Sequence, residues 1–180
     1  ALQLFYEKGF VGASIRDITS AAEVGIATMF HHFPTKLAIL ERLLHRAVDD
    51  LRAELDESLA GVEDPVEYMR LAVRVLVVAH CERRTQSFVA QSELRSLEEP
   101  VRSEIRDKRL AVQHLFDHAV AAGVRSGDFV AEHPKATAVA ILTLCIGVAS
   151  WYREGGPMDA QQVADVYETL VLRLLAVDGA

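Results

Sequence analysis

Residues Ser14 to Lys36, SIRDITSAAEVGIATMFHHFPTK, constrain the fold more than any other stretch of the chain. Ile15, Ile18, Ala21 and Ala22 recur at helical spacing, and a tight turn follows at Glu23-Val24-Gly25. Met29, Phe30 and Phe33 mark a second short helix that Pro34 stops. Two helices this short, joined by a turn this short, read as a helix-turn-helix. The second helix of such a unit can lie in the major groove of DNA. The remaining residues read as helices that need not touch DNA, so the pattern suggests a DNA reader joined to a sensor.

Helical periodicity dominates the rest, with almost no strand signal. The chain begins at Ala1 inside a helical pattern whose core residues are Leu2, Leu4, Phe5 and Phe10. The natural N-terminus is expected to lie further upstream, and no signal peptide is visible. A long helix from near Thr35 carries Leu40, Leu44, Val48, Leu51, Leu55 and Leu59 on one stripe, and Gly61 ends it. Asp64-Pro65 starts the next, which runs to about Arg83 with Pro at its first position. That helix is apolar on two faces, Tyr68, Leu71, Val75 and Val78 against Met69, Val73, Leu76 and His80, so it should sit between others. A helix near Gln86 to Leu97 and a long one from Pro100 to Gly123 follow. The second carries Val101, Ile105, Val112, Leu115, Phe116 and Ala119, and Gly123 with the Ser126-Gly127-Asp128 turn should close it.

Ala136 to Tyr152 holds no charged residue for 17 positions. A membrane-spanning helix needs about 20 predominantly apolar residues. With Thr137, Thr143, Gly147 and Ser150 inside it, the run reads as a buried helix of a soluble protein, and no membrane partner is expected. Gly155-Gly156-Pro157 breaks the chain. The last helix then carries Val163, Val166, Leu170, Leu174 and Val177 on one stripe. Two adjacent helices with this much apolar surface predict a subunit interface. The expected fold is all-α, about nine helices: a three-helix DNA-binding domain over residues 1–36 and a helical ligand-binding and dimerisation domain over 37–180.

A net charge of −7 argues against a general coat for nucleic acid. Local binding depends on the patch instead. The first 50 residues carry five Lys/Arg and six Asp/Glu, the remainder fourteen and twenty, so the acidity sits mainly outside the helix-turn-helix. Cys81 and Cys145 have no motif spacing and read as buried thiols of a cytoplasmic protein.

Met29 and Phe33, four apart, should pack inward. Ile26, Ala27, Thr28, Phe30, His31 and His32 then lie toward or beside DNA. Thr28 can hydrogen-bond a base edge or phosphate, and its methyl can meet a thymine methyl. Ile26 and Ala27 offer only apolar contact, and His32 can donate to phosphate. Lys36 opens the next helix, where its charge and the free N–H groups favour phosphate. Ser14 can cap the first helix of the motif and touch phosphate, and Arg16 projects from its first turn.

Other chemistries are poorly supported. His114 and His118 stand four apart, which is metal-ligand spacing. They face away from the core stripe, and residue 115 is Leu where HExxH needs Glu, so no metal site is expected. Glu93, Glu98 and Glu99 with Arg95 and Arg102 read as a solvated helix face. No nucleophile, base and orienter come together, and no glycine-rich phosphate loop occurs, so neither an enzyme nor a cofactor is expected.

The segment from Phe5 to Leu40 resembles the DNA-binding domain of the TetR family of bacterial repressors. The residues carrying the resemblance are Leu4-Phe5, Gly9-Phe10, Ser14, Asp17-Ile18, Ala21-Ala22, Val24, Thr28 and Phe30-His31-His32-Phe33-Pro34-Thr35-Lys36. The resemblance implies a homodimer that binds a palindromic operator, with a small-molecule pocket in the C-terminal helices and a dimer interface built by the last two. By position it places DNA contacts at Ser14, Arg16, Ile26, Ala27, Thr28, Phe30, His32 and Lys36. Three departures stand out. The family usually has Tyr at Phe30, Ser at Gly25 and Gly at Glu23, so a phosphate-binding hydroxyl, a helix cap and a left-handed turn residue are replaced.

Gly123 to Phe129, Pro134 and Trp151 to Pro157 look like a branch of the family that includes sensors of fatty acyl-CoA and steroid-derived CoA thioesters. An apolar effector pocket would suit Met69, Val73, Leu76, His80, Phe88, Gln91 and Trp151. The function implied is a ligand-responsive regulator, a repressor released from its operator by a small hydrophobic ligand or acyl-CoA. The alternative is an all-helical dimerisation or adaptor protein whose helix-turn-helix is degenerate.

Overall fold

A computed structural model describes residues 1–176. It is all-helical, with no strand among the described residues. The helices are α1 (Leu2–Gly12), α2 (Ile15–Ala21), α3 (Ile26–His32), α4 (Lys36–Leu59), α5 (Pro65–Glu82), α6 (Arg84–Ser92), α7 (Val101–Ser126), α8 (Pro134–Trp151) and α9 (Ala160–Leu174), with a 3-10 turn at Leu94–Ser96. The nine α-helices among the described residues match the expected number. Val177, expected on the last stripe, lies outside the described residues.

Packing divides the chain into two compact units. The first comprises Ala1–Asp49 and Thr85–Lys108, the second Asp50–Arg84 and the residues from Arg109 onward. This division differs from a cut at residue 36. Helices of 11, 7 and 7 residues are too small to enclose a core of their own. The first core therefore joins Phe5, Ile18 and Met29 to Ile39, Leu40, Leu44 and Val48 of α4, and to Val89, Ala90, Leu97 and Ile105.

Local chemistry sets the helix ends. Asp64 accepts from the Glu67 N–H at 2.8 Å ahead of Pro65, which opens α5. Asp159 and Gln162 form a reciprocal capping box at α9. The α7 helix does not end at Gly123. It runs through to Ser126, and Gly127, at φ +88°, follows it. Gly123 is instead a packing position, because a Cβ there would run into the ring of buried Phe129.

In the second unit α5 packs against both α8 and α9. Met69, Val73 and Leu76 are buried with Phe116, Ile141, Cys145, Val163 and Val171 in one core. By length and composition α8 is long and apolar enough to cross a membrane. Ile141, Cys145, Val148 and Ala149 are nevertheless buried in the protein core. The expectation of a buried helix holds for that side alone: Val139, Leu144 and Trp151 are exposed, as are Val166, Leu170 and Leu174 of α9.

Candidate nucleic-acid interface

The α2 helix begins with a complete capping box. Ser14 Oγ accepts from the Asp17 N–H at 3.1 Å, and the Asp17 carboxylate accepts from the Ser14 N–H at 3.1 Å. The hydrogen bond from the Ser14 backbone leads the causes that hold the Asp17 carboxyl below its ordinary range, with Ser14 Oγ and Lys8 adding to it. Ser14 stays exposed, and Arg16 points to solvent from the same turn. Glu23 then adopts φ +54°, the left-handed conformation that the turn demands and that disfavours any residue but Gly. Gly25 caps α3 with no side-chain hydrogen bond.

Within α3 only Met29 is buried. Ile26, Ala27, Thr28, Phe30, His31 and His32 are all exposed, whereas Phe33 beyond the helix is partly buried against the first core. One inward anchor thus presents six side chains outward, the division that the Met29/Phe33 spacing predicts.

Lys36 is placed differently from the phosphate contact expected of it. Its Nζ donates to the carbonyls of Phe10 at 2.6 Å and Ala13 at 2.8 Å, and lies 4.5 Å from the centre of the Phe10 ring. An ammonium at the C-terminal end of a helix satisfies carbonyls that lack intrahelical partners. To reach a phosphate this side chain must first give them up.

Glu93 sits in a charge-rich run that reads as a solvated face, yet it is only 8% exposed. Gly9 breaks the regular helix inside α1 at φ +69°, ψ 168°. The following amide, Phe10 N–H, donates to Glu93 Oε1 at 3.2 Å, while Glu93 Oε2 accepts from the Ser96 hydroxyl at 2.8 Å. A kinked helix leaves an amide without a partner, and a buried carboxylate fills the gap. The Gly9-Phe10 pair was the sequence signal, but nothing in it named the acceptor 83 residues away. Glu98 and Glu99 are exposed as expected, but they stand in the connection before α7 rather than on a helix face, with Glu99 paired to Arg102 at 2.9 Å.

The seven expected effector residues fall in both units. Phe88 and Gln91 belong to the first, where the Phe88 ring packs edge-on against Tyr6 with centroids 5.0 Å apart. Met69, Val73 and Leu76 are fully buried in the second core. His80 is buried beside them, and its Nδ1 donates to the Leu76 carbonyl at 2.8 Å. Burial holds the imidazole below its ordinary pKa; Arg83 and Arg109 add to this, and the Leu76 hydrogen bond opposes it. The Trp151 indole N–H donates to the Tyr167 hydroxyl at 3.1 Å.

A cleft of about 500 Å³ opens on the other face of α5, and none of those seven residues lines it. Its floor is Leu71, Val75, Val78 and Ala79, and its rim includes Glu54, Arg74, Glu82, Arg83 and Gln161. Arg83 bridges to both Glu54 oxygens at 2.5 Å, and Arg74 pairs with Asp165 and Glu168.

Residues 1–43 match the family model "Bacterial regulatory proteins, tetR family", and residues 62–175 match "Tetracyclin repressor-like, C-terminal domain". The chain is 26% identical over 182 residues to the HTH-type transcriptional repressor KstR2 of Mycobacterium tuberculosis (strain CDC 1551 / Oshkosh), covering 99% of this chain and 90% of that protein. A solved tetR-family regulatory protein from Rhodococcus RHA1 superposes with a TM-score of 0.90 at 26% identity, over 97% of this chain and 92% of the other. AibR, solved in complex with isovaleryl coenzyme A and operator DNA, shares the fold with a TM-score of 0.86 at 19% identity, over 98% and 94%. An exposed recognition helix on a buried anchor, an all-helical C-terminal part and two family models that together span most of the sequence make this chain a member of the TetR family, a ligand-responsive helix-turn-helix transcriptional regulator.

Proposed function

We propose that the protein is a homodimeric repressor that binds a palindromic operator and is released from it by a small hydrophobic effector, with an acyl-CoA as the leading class. It acts in the cytoplasm as a regulator rather than an enzyme, and needs no membrane. The observation that carries the reading is α3. Six of its seven side chains face outward while Met29 alone anchors it, an arrangement that folding does not require and groove binding does. DNA contacts are assigned to Ser14, Arg16, Ile26, Ala27, Thr28, Phe30, His31 and His32. Lys36 supports them from behind.

Dimerisation is assigned to the exposed faces of α8 and α9, where Val139, Leu144, Val166, Leu170 and Leu174 present apolar surface that a monomer would leave in water. Effector binding is assigned to the helical second unit. The expected face of Met69, Val73, Leu76 and His80 is closed by core packing. The open cleft across α5 offers an apolar floor of Leu71, Val75, Val78 and Ala79, which suits an acyl chain; an anionic head would have to draw Arg74 or Arg83 on its rim from their present carboxylate partners. KstR2 is described as a ketosteroid transcriptional regulator, which supports a small hydrophobic effector, and AibR was solved with isovaleryl coenzyme A, which supports the acyl-CoA class. The effector must favour one state over the other, since equal affinity shifts nothing. Successive major grooves lie about 34 Å apart, so a changed spacing between the two recognition helices costs a half-site.

The test is fluorescence anisotropy with DNA from the flanks of the protein's own gene, titrating salt and adding acyl-CoAs. Tight, salt-dependent binding released by an acyl-CoA supports the whole reading. Binding indifferent to acyl-CoAs removes the effector class, and failure to bind any genomic fragment favours the adaptor alternative.

A further inference from the structure

Between Glu23 and Lys36 there is no Arg, Lys, Asn, Gln, Asp or Glu. Those are the side chains that read base edges through paired hydrogen bonds or accept from cytosine. The Lys36 ammonium is turned to the Phe10 and Ala13 carbonyls, and Arg16 stands on α2 rather than on the recognition helix. Apart from Thr28, His31 and His32, what α3 presents outward is apolar. Ile26 is 45% exposed and Phe30 48%. They stand four residues apart, so their Cβ atoms are about 5–6 Å from each other on one face. The apolar group that B-DNA offers in its major groove is the thymine C5-methyl. Base pairs rise about 3.4 Å per step, so this pair of side chains spans one to two steps.

We propose that Ile26 and Phe30 are the specificity-determining residues of α3, and that they read thymine methyl groups in each operator half-site. The assignment rests on the regulator reading above. Thr28, His31 and His32 add single hydrogen bonds, and discrimination against cytosine at the contacted positions comes from the methyl, not from a paired hydrogen bond.

The experiment selects duplexes from a randomised pool with the full chain. Each thymine of the enriched site is then replaced singly by deoxyuridine, which removes the methyl and leaves every hydrogen-bonding group. The expected result is one or two thymines per half-site whose replacement weakens binding about fourfold, the effect of one buried methyl. In Ile26→Ala or Phe30→Ala, both exposed positions outside the core of the first unit, that penalty falls below twofold. An enriched operator that tolerates deoxyuridine everywhere within twofold overturns this assignment alone. So does a penalty that persists in both variants. A selection that enriches no duplex overturns the regulator reading and this assignment with it.

Discussion

The Lys36 ammonium lies 2.6 Å from the Phe10 carbonyl and 4.5 Å from the centre of the same residue's ring. One side chain thus ties the first turn of α4 to the end of α1 by a charge-assisted hydrogen bond and a cation–π contact. Hydrogen bonds to charged groups contribute about 1.5–3 kcal/mol. Lys36→Met should lower stability by about 2 kcal/mol in urea unfolding, while the salt slope of operator binding stays as it was. Arg16→Ala should do the reverse, leaving stability intact and reducing the slope by about 1 per subunit. A reduced slope for Lys36→Met would return that residue to the phosphates.

The turn between α2 and α3 is suboptimal at two positions. Glu23 sits at φ +54°, so Glu23→Gly relieves left-handed strain and should raise stability by about 0.5–1 kcal/mol. Gly25 has extended backbone angles, and an added Cβ would make only ordinary contact with Thr28. Gly25→Ser should therefore gain a few tenths of a kcal/mol from a new cap. Thermal denaturation of both variants checks the sign, and a loss in either would mean that the turn needs its present residue.

If α8 and α9 form the dimer interface, a charge at its centre should dissolve it. Leu170→Asp places a carboxylate on the exposed stripe with Val166 and Leu174. It should raise the dimer dissociation constant at least about 100-fold, because two symmetry-related leucines each worth about 1.5–3 kcal/mol are lost. Sedimentation equilibrium reads this directly. An unmodified chain that sediments as a monomer at micromolar concentration would count against the dimer itself.

Acid should weaken the second unit through His80. Its folded-state pKa is lowered, chiefly by burial, so the unfolded chain takes up the proton first. Stability is full above the unfolded value of about 6.5. It falls as the pH drops from there through the lower folded value. The melting temperature of the wild type should decline more steeply between pH 7 and pH 5 than that of His80→Gln. Equal slopes would show that His80 is not the responsible group.

Gly123→Ala tests the packing under Phe129. A methyl there runs into the buried ring, and overpacking a core typically costs about 1–3 kcal/mol. Coupling with Phe129→Leu, which trims the ring, should recover part of the loss in a double-mutant cycle.

Much of this architecture was legible in the amino-acid sequence because helical periodicity and caps are local signals. Ser14 as a cap, Pro65 after Asp64 and the Met29 anchor all stand where spacing placed them. What stayed hidden was long-range. Glu93 lies in a stretch of charges that looks solvated, and only the break at Gly9 creates the amide it satisfies. Lys36 has the position of a phosphate ligand, but the carbonyls it serves stand at the end of α1 and just past it, 26 and 23 residues earlier. The α5 helix is apolar on two faces, as its periodicity predicts, yet periodicity does not say which face is packed shut and which borders a cleft. The same holds for the residues expected to hold the effector.

The Glu93 carboxylate has a practical consequence for anyone recombining regulators. A domain swap that transplants residues 1–49 onto a foreign sensor would leave behind the acceptor for Phe10 N–H, together with Val89, Leu97 and Ile105 of the same core. The exchangeable module is discontinuous: it needs residues 85–108 grafted with the N-terminal segment, or a host whose own sequence supplies a carboxylate at that point.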